Sequence, residues 1–308
     1  MKKVGLLFPG QGSQYVGMSK SFLQEKRFFS LLQEACKITQ EPLEQLMLEG
    51  PLEDLTKTHI AQVAILLHSY MSFLTIKDNI APQVAIGHSL GEYTALLASG
   101  MISFAEAVTL VYKRGTLMSK ACQNIEGAMA AVLGLESNVI EKTLEKFKNP
   151  QAKNYVTIAN YNADSQTVIS GTKEGVMLAK DLLLQNGAKR VIELSVSAPF
   201  HCALMNDVQI QMAETIKNID FKKPKFPLIM NASGLIRDNI TDIKEEIITQ
   251  ISSAVRFNDC ILLSKKLFDS LEYVELGPKT VLCGLVKKII PQTICHNIDN
   301  LEDSKCII

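Results

Sequence analysis

The stretch Gln83-Val84-Ala85-Ile86-Gly87-His88-Ser89-Leu90-Gly91-Glu92-Tyr93 decides the fold of this chain. Gln83 to Gly87 reads as a buried strand, His88 to Gly91 as a sharp turn and Glu92 to Ser99 as a helix, with no spacer between them. Gly87 to Gly91 spells Gly-X-Ser-X-Gly. A serine on such a strand-to-helix turn has its hydroxyl thrust outward, and the flanking glycines remove side chains that would clash there. Ser89 is therefore the candidate nucleophile; the plainer use of a serine at this place is to cap a helix.

Upstream the same grammar recurs. Val4 to Phe8 is a strand that runs into the glycine-rich turn Pro9-Gly10-Gln11-Gly12-Ser13-Gln14. A dinucleotide fingerprint would need glycine at position 15, where Tyr15 stands. Such a turn can instead present backbone N–H groups at a strand's carboxyl end, and the amides of Gln11 and Leu90 can together form an oxyanion hole. Its alternative is a tight turn and nothing more. Helical spacing marks Lys20 to Ile38, His59 to Leu74 and Phe104 to Cys122. Repeated strand, turn and helix argues for an α/β layer with a mostly parallel buried sheet.

The middle of the chain has another order. Strand Ala128 to Leu133, helix Glu136 to Phe147, strands Val156 to Asn160 and Thr167 to Ser170, helix Glu174 to Asn186 and strand Arg190 to Val196 make a β-α-β-β-α-β run. That order predicts a ferredoxin-like α+β unit over 125–197, inserted between two parts of the larger domain, 1–124 and 198–308. Beyond it, a helix from His201 to Ile219, a strand Leu228 to Asn231, helices near Ile243 to Ile251 and Asp259 to Phe268, a strand Tyr273 to Leu276, a helix Val281 to Ile289 and an edge strand within Thr293 to Ile298 complete the first sheet.

Composition narrows the function classes. With 308 residues, 47% apolar and 21% charged, the chain can bury a large core. Lys+Arg and Asp+Glu both total 32, so no global field draws it to nucleic acid or anionic lipid. Lys2 and Lys3 precede an apolar run of only Val4 to Phe8, too short for a signal-peptide core. No segment reads as reaching the ~18 apolar residues of a membrane span, and Cys306 is third from last where a prenylation box needs it fourth. The seven cysteines are scattered without a CxxC pair, which argues against a zinc clip and for a reducing cytosol. Only five arginines stand against 27 lysines, so each arginine is a candidate for a task that needs the planar fork.

A histidine and one of these arginines complete a candidate site. His201, in Ser197-Ala198-Pro199-Phe200-His201-Cys202, lies at the joint between the inserted unit and the next helix. There it can reach Ser89 as general base, or serve only as a cap or core histidine. His296 is the rival base. His59 and His68 read as surface or packing residues, and His88 adjoins Ser89 with its ring pointing away. Arg114 sits on a helix whose apolar face includes Val108, Val111 and Met118. It is placed either to fork onto a substrate carboxylate or to snorkel.

Together, Gln11 in Gly-Gln-Gly-Ser-Gln, Ser89 in Gly-His-Ser-Leu-Gly-Glu-Tyr, Arg114 before Gly115, His201 in Pro-Phe-His-Cys and Gly277-Pro278 near the end resemble the malonyl-CoA:acyl carrier protein transacylase family. The likeness runs over essentially the whole chain. It implies a hydrolase-like α/β core with a ferredoxin-like subdomain, a Ser89–His201 pair in place of a full acidic triad, and Arg114 as the ligand of a malonyl carboxylate. It also implies that the backbone carbonyl of Gln250 orients His201, and that Asn160 and Gln166 touch substrate. The partners it implies are malonyl-CoA and an acyl carrier protein, in the cytoplasm, with no metal or redox cofactor. Two places depart from the family pattern. Ala254-Val255-Arg256-Phe257 stands where Pro-Val-x-Trp is frequent, which predicts a looser loop behind Gln250, and Lys279 stands where a glycine is usual. The rivals are a serine esterase or thioesterase, which needs an acid between Ser89 and the histidine in chain order, and a noncatalytic carrier-docking module.

Overall fold

The computed structural model describes residues 1–124, 126–194 and 198–307, with backbone only for 122–124. The end of the expected strand Arg190 to Val196, and Ser197 of the histidine motif, lie outside the described residues.

The strands are β1 Lys2–Phe8, β2 Ile80–Gly87, β3 Gly127–Leu133, β4 Val156–Ala163, β5 Gln166–Thr172, β6 Arg190–Glu193, β7 Leu228–Ile229, β8 Ile236–Arg237, β9 Glu272–Leu276 and β10 Cys295–Ile298. The helices are α1 Lys26–Thr39, α2 Leu43–Leu48, α3 Leu52–Thr56, α4 Thr58–Ile76, α5 Gly91–Ala98, α6 Phe104–Asn124, α7 Ser137–Leu144, α8 Lys173–Gln185, α9 Asn206–Lys217, α10 Ile240–Thr249, α11 Phe257–Leu267 and α12 Val281–Ile289.

Six strands form one sheet in the order β10-β9-β1-β2-β7-β8. It is parallel from β10 to β7, and β8 turns back antiparallel on β7. The apolar runs of β1 and β2 have the reason expected of a parallel sheet, cover on both faces: Val4, Leu6, Leu7, Phe8, Val84, Ala85 and Ile86 are all sealed from solvent. Helix α4 packs inside this domain and is buried over most of its circumference. It is long and apolar enough to cross a membrane, contrary to the expectation that no segment is, yet most of its length is covered by the protein's own core.

The second sheet, β4-β5-β3-β6, is antiparallel throughout and carries α7 and α8 on one side. The two sheets join through the loop after α10. Val255 bridges to Asn160, donating its N–H to the Ala159 carbonyl and accepting from the Tyr161 N–H, both at 2.8 Å. Arg256 N–H donates to the Asn231 carbonyl at 2.9 Å, and Phe257 is fully buried. The loop expected to be loose is therefore tied on both sides.

Other expectations need correction. The helix expected over Lys20 to Ile38 is not continuous: a short 3-10 turn at Phe22–Gln24 precedes α1. The short α2, α3 and β8 carry too few residues for a periodic signal. The helix expected from His201 begins only at Asn206, after a 3-10 turn at Ala203–Met205. Cys283 on α12 and Cys295 on β10 are joined in a disulfide, a pairing that the scattered spacing did not reveal.

Candidate active site

Ser89 stands between the end of β2 and α5 with φ +53°, in the left-handed region. The turn closes only because its neighbours lack side chains. A Cβ on Gly87 would lie 2.0 Å from the Glu92 nitrogen, and one on Gly91 would lie 1.9 Å from the Phe8 oxygen. Ser89 N–H donates to Asn231 Oδ1 at 2.7 Å and Asn231 Nδ2 donates to the Gly87 carbonyl at 2.7 Å, so one buried amide side chain spans the strained residue.

His201 reaches Ser89 from the segment ahead of α9, itself at φ +58°. Its Nε2 lies 2.7 Å from Ser89 Oγ, and its Nδ1 lies 2.8 Å from the carbonyl oxygen of Gln250, the C-cap residue of α10. A carbonyl can only accept, so Nδ1 carries the proton and Nε2 is the bare nitrogen that receives one from the serine. Burial, then the Arg114 charge, push the His201 pKa down to about 3. The ring is thus a neutral base at pH 7.

Arg114, on α6, is 1% exposed. Its guanidinium donates to Gln62 Oε1 at 2.8 Å, to Ser89 Oγ at 3.0 Å and to Gln250 Oε1 at 3.1 Å. It is not a snorkelling arginine. The amides of Gln11 and Leu90 border the same cavity, and among the described residues neither N–H finds an acceptor. Gln11's side chain is turned aside toward Thr58 Oγ1 at 3.4 Å.

These groups line one cavity of about 320 Å³. Asn160 and Gln166, from β4 and β5, border it as well, with Gln166 Oε1 accepting from Lys288 Nζ of α12 at 2.7 Å. Its apolar lining includes Met118, Met129, Val168 and Phe200, with Leu282 and Leu285 of α12. His88 turns its Nε2 to Asn162 Oδ1, 2.8 Å away, and rests on Phe257. The rival base His296 is elsewhere, on edge strand β10, with Nε2 3.0 Å from Glu272.

Three residues of this constellation escaped the sequence reading: Gln62, Asn231 and Glu92. Glu92 is 2% exposed. It accepts a short bond from the Asn231 N–H and one of 2.7 Å from Gln250 Nε2. Burial raises its pKa to about 8 against the pull of those two bonds. A single carboxyl in the otherwise uncharged and fully buried helix Gly91–Ala98 was the available signal for Glu92. Asn231 and Gln62 had none.

Comparison with known proteins agrees with this arrangement. The acyl transferase domain family matches residues 6–293. The chain is similar to the malonyl CoA-acyl carrier protein transacylase of Bacillus subtilis (strain 168), 42% identical over 295 residues that make up 94% of this chain and 91% of the relative. The malonyl CoA-acyl carrier protein transacylase of Coxiella burnetii superposes with TM-score 0.94 at 34% identity, covering 100% of this chain and 97% of the other. A malonyl-transacylase solved in complex with its type II PKS acyl-carrier protein gives TM-score 0.93 at 32% identity, covering 100% and 99%.

Proposed function

The chain belongs to the acyl transferase domain family, and we propose that its Ser89–His201 pair carries a malonyl group from malonyl-CoA to the thiol of an acyl carrier protein. The observation that carries this reading is one cavity holding Ser89 Oγ 2.7 Å from a neutral His201 Nε2 and 3.0 Å from the Arg114 guanidinium. The first pair is the requirement for acyl transfer. The buried cation is the requirement for an acyl group that itself ends in a carboxylate.

In the first half-reaction Ser89 Oγ attacks the thioester carbonyl while His201 Nε2 takes the hydroxyl proton. The oxyanion is received by the Gln11 and Leu90 amides, whose N–H groups are otherwise unused. Collapse breaks the C–S bond, and His201 returns the proton to coenzyme A as it leaves. In the second half the carrier's thiol gives its proton to His201 and attacks the malonyl ester; the ester C–O bond breaks and His201 passes that proton to Ser89 Oγ, leaving malonyl on the carrier's sulfur. Arg114 holds the acyl carboxylate through both halves, with Asn160 and Gln166 beside it. The cycle needs neither metal nor redox cofactor. His201 Nδ1 meets a carbonyl rather than a carboxylate, so the esterase reading lacks its third member.

We assign residues 1–124 and 198–308 to a hydrolase-like core and 125–197 to a ferredoxin-like insertion. The strand order of the second sheet supports the insertion, since its strands lie second, third, first, fourth. A cytoplasmic setting goes with these substrates; the Cys283–Cys295 bond is the feature against it. The test is transfer itself. Wild-type protein should move malonyl from malonyl-CoA to a holo carrier protein with ping-pong kinetics, and Ser89→Ala should not.

A further inference from the structure

We propose that Glu92 is a positioning residue that holds nucleophile and base in register, acting through Asn231 and Gln250; this rests on the acyl-transfer reading above. A buried carboxyl is costly unless its oxygens are fully used. Here each oxygen takes one donor, Oε1 the backbone N–H of Asn231 and Oε2 the side-chain N–H of Gln250.

Those two donors are the residues that set the reacting groups. Asn231 grips Ser89 at its N–H and Gly87 at its carbonyl, both at 2.7 Å. Both ends of the Gln250 side-chain amide are engaged: Nε2 donates to the Ser89 carbonyl and to Glu92, each at 2.7 Å, and Oε1 accepts from Arg114 at 3.1 Å. Its own carbonyl fixes His201 at 2.8 Å. The loop after β7, the end of α10 and the start of α5 therefore meet at one carboxyl. Asn231 and Gln250 are both fully buried, so water does not replace a lost acceptor.

Chemistry separates this role from mere packing. Glu92→Gln keeps shape and puts an NH2 donor where the carboxylate has an acceptor oxygen, so if Glu92 only fills space the variant acylates as fast as wild type. The ionised carboxylate accepts from both sides at once, whereas an amide sets its NH2 against either the Asn231 N–H or the Gln250 NH2, donor against donor. One group moves, and a displacement near 1 Å at a reacting centre costs about 10²-fold in rate.

The experiment measures the rate of Ser89 malonylation at about pH 9, where Glu92 is ionised, by rapid quench and intact mass, with KM for malonyl-CoA, in wild type, Glu92→Gln, Asn231→Ala and the double variant. Circular dichroism and gel filtration report folding. Expected is a rate loss of about 10²-fold in Glu92→Gln with KM within about threefold of wild type. The double variant should be little slower than either single one, because the residues act as a unit. A folded Glu92→Gln acylating within about twofold of wild type overturns the proposal, as does full multiplication of the two losses. Should Glu92→Gln not fold, Asn231→Ala carries the test, and a wild-type rate there overturns it. Failure of wild type itself to become malonylated is a different result and removes the function reading instead.

Discussion

Arg114 is the largest side chain fully sealed from solvent among the described residues, and that burial governs what its removal does. Arg114→Ala leaves a malonyl carboxylate without its cation in a desolvated pocket, at a cost of roughly 2 to 4 kcal/mol. Acetyl groups lose nothing comparable. It also removes a donor from Ser89 Oγ and from Gln250 Oε1, so absolute rates fall for every acyl group. Competitive transfer from malonyl-CoA and acetyl-CoA isolates the first effect: the malonyl-to-acetyl ratio should drop by about 1.5 to 3 decades. An unchanged ratio would deny Arg114 the carboxylate. Gln250 needs a different forecast from the one its sequence context implies. If only the carbonyl served, Gln250→Ala would be mild. With the side chain bonded to Ser89, Glu92 and Arg114, the loss should reach about 10²-fold and approach that of His201→Ala. A mild effect in the acylation assay would show that the backbone alone suffices. Ser89, Gln11 and Leu90 were legible because short motifs with glycines announce them. Glu92 and Asn231 were not, since they lie 139 residues apart and their value lies in a tertiary match of donors and acceptors.

Helix α12 forms one wall of the cavity, and its start is held by a buried carboxyl. Glu275 on β9 accepts from the Leu282 and Cys283 N–H groups, both at 2.8 Å, in the first turn where a helix has spare donors. Burial pushes the Glu275 pKa to about 7 in spite of those bonds. The folded state then keeps a proton that the unfolded chain has released above the ordinary glutamate range, so Glu275 lowers stability as pH rises from about 4.5 to about 7. Glu275→Gln cannot titrate. Its stability relative to wild type should improve between pH 5 and pH 7 and then level off, read from urea unfolding at each pH. A pH-independent difference would contradict the protonation. At this scale the long apolar elements were legible, β1, β2, α4 and α5 among them, because burial of most of their residues leaves them as largely apolar runs. The helix expected from His201 was not, since that residue takes φ +58° to aim its ring at Ser89 and the chain turns again before α9. The pairing of Cys283 with Cys295 depends on α12 lying over β10, which no local spacing encodes.

Across the whole molecule, the two sheets share the cavity rather than merely sitting side by side. The helices and loops around the larger sheet supply Ser89, His201, Arg114, Gln11 and Leu90, and the strands of the smaller supply Asn160, Gln166, Met129 and Val168. The bridge from Val255 to Asn160 and the bond from Lys288 to Gln166 fix one against the other. The alternation of strand and helix made both sheets legible. The seam was misjudged, because Ala254 to Phe257 was weighed by side-chain identity while its backbone pairing with β4 does the holding. The central claim is that this shared cavity loads a malonyl group onto one serine. The most direct measurement is the intact mass of the protein, with peptide mapping, after brief mixing with malonyl-CoA in the absence of carrier protein. A single malonyl adduct on Ser89, absent from Ser89→Ala and discharged when a holo carrier protein is added, is the expected result. An unmodified wild-type protein, or an adduct that persists in Ser89→Ala, would contradict the account.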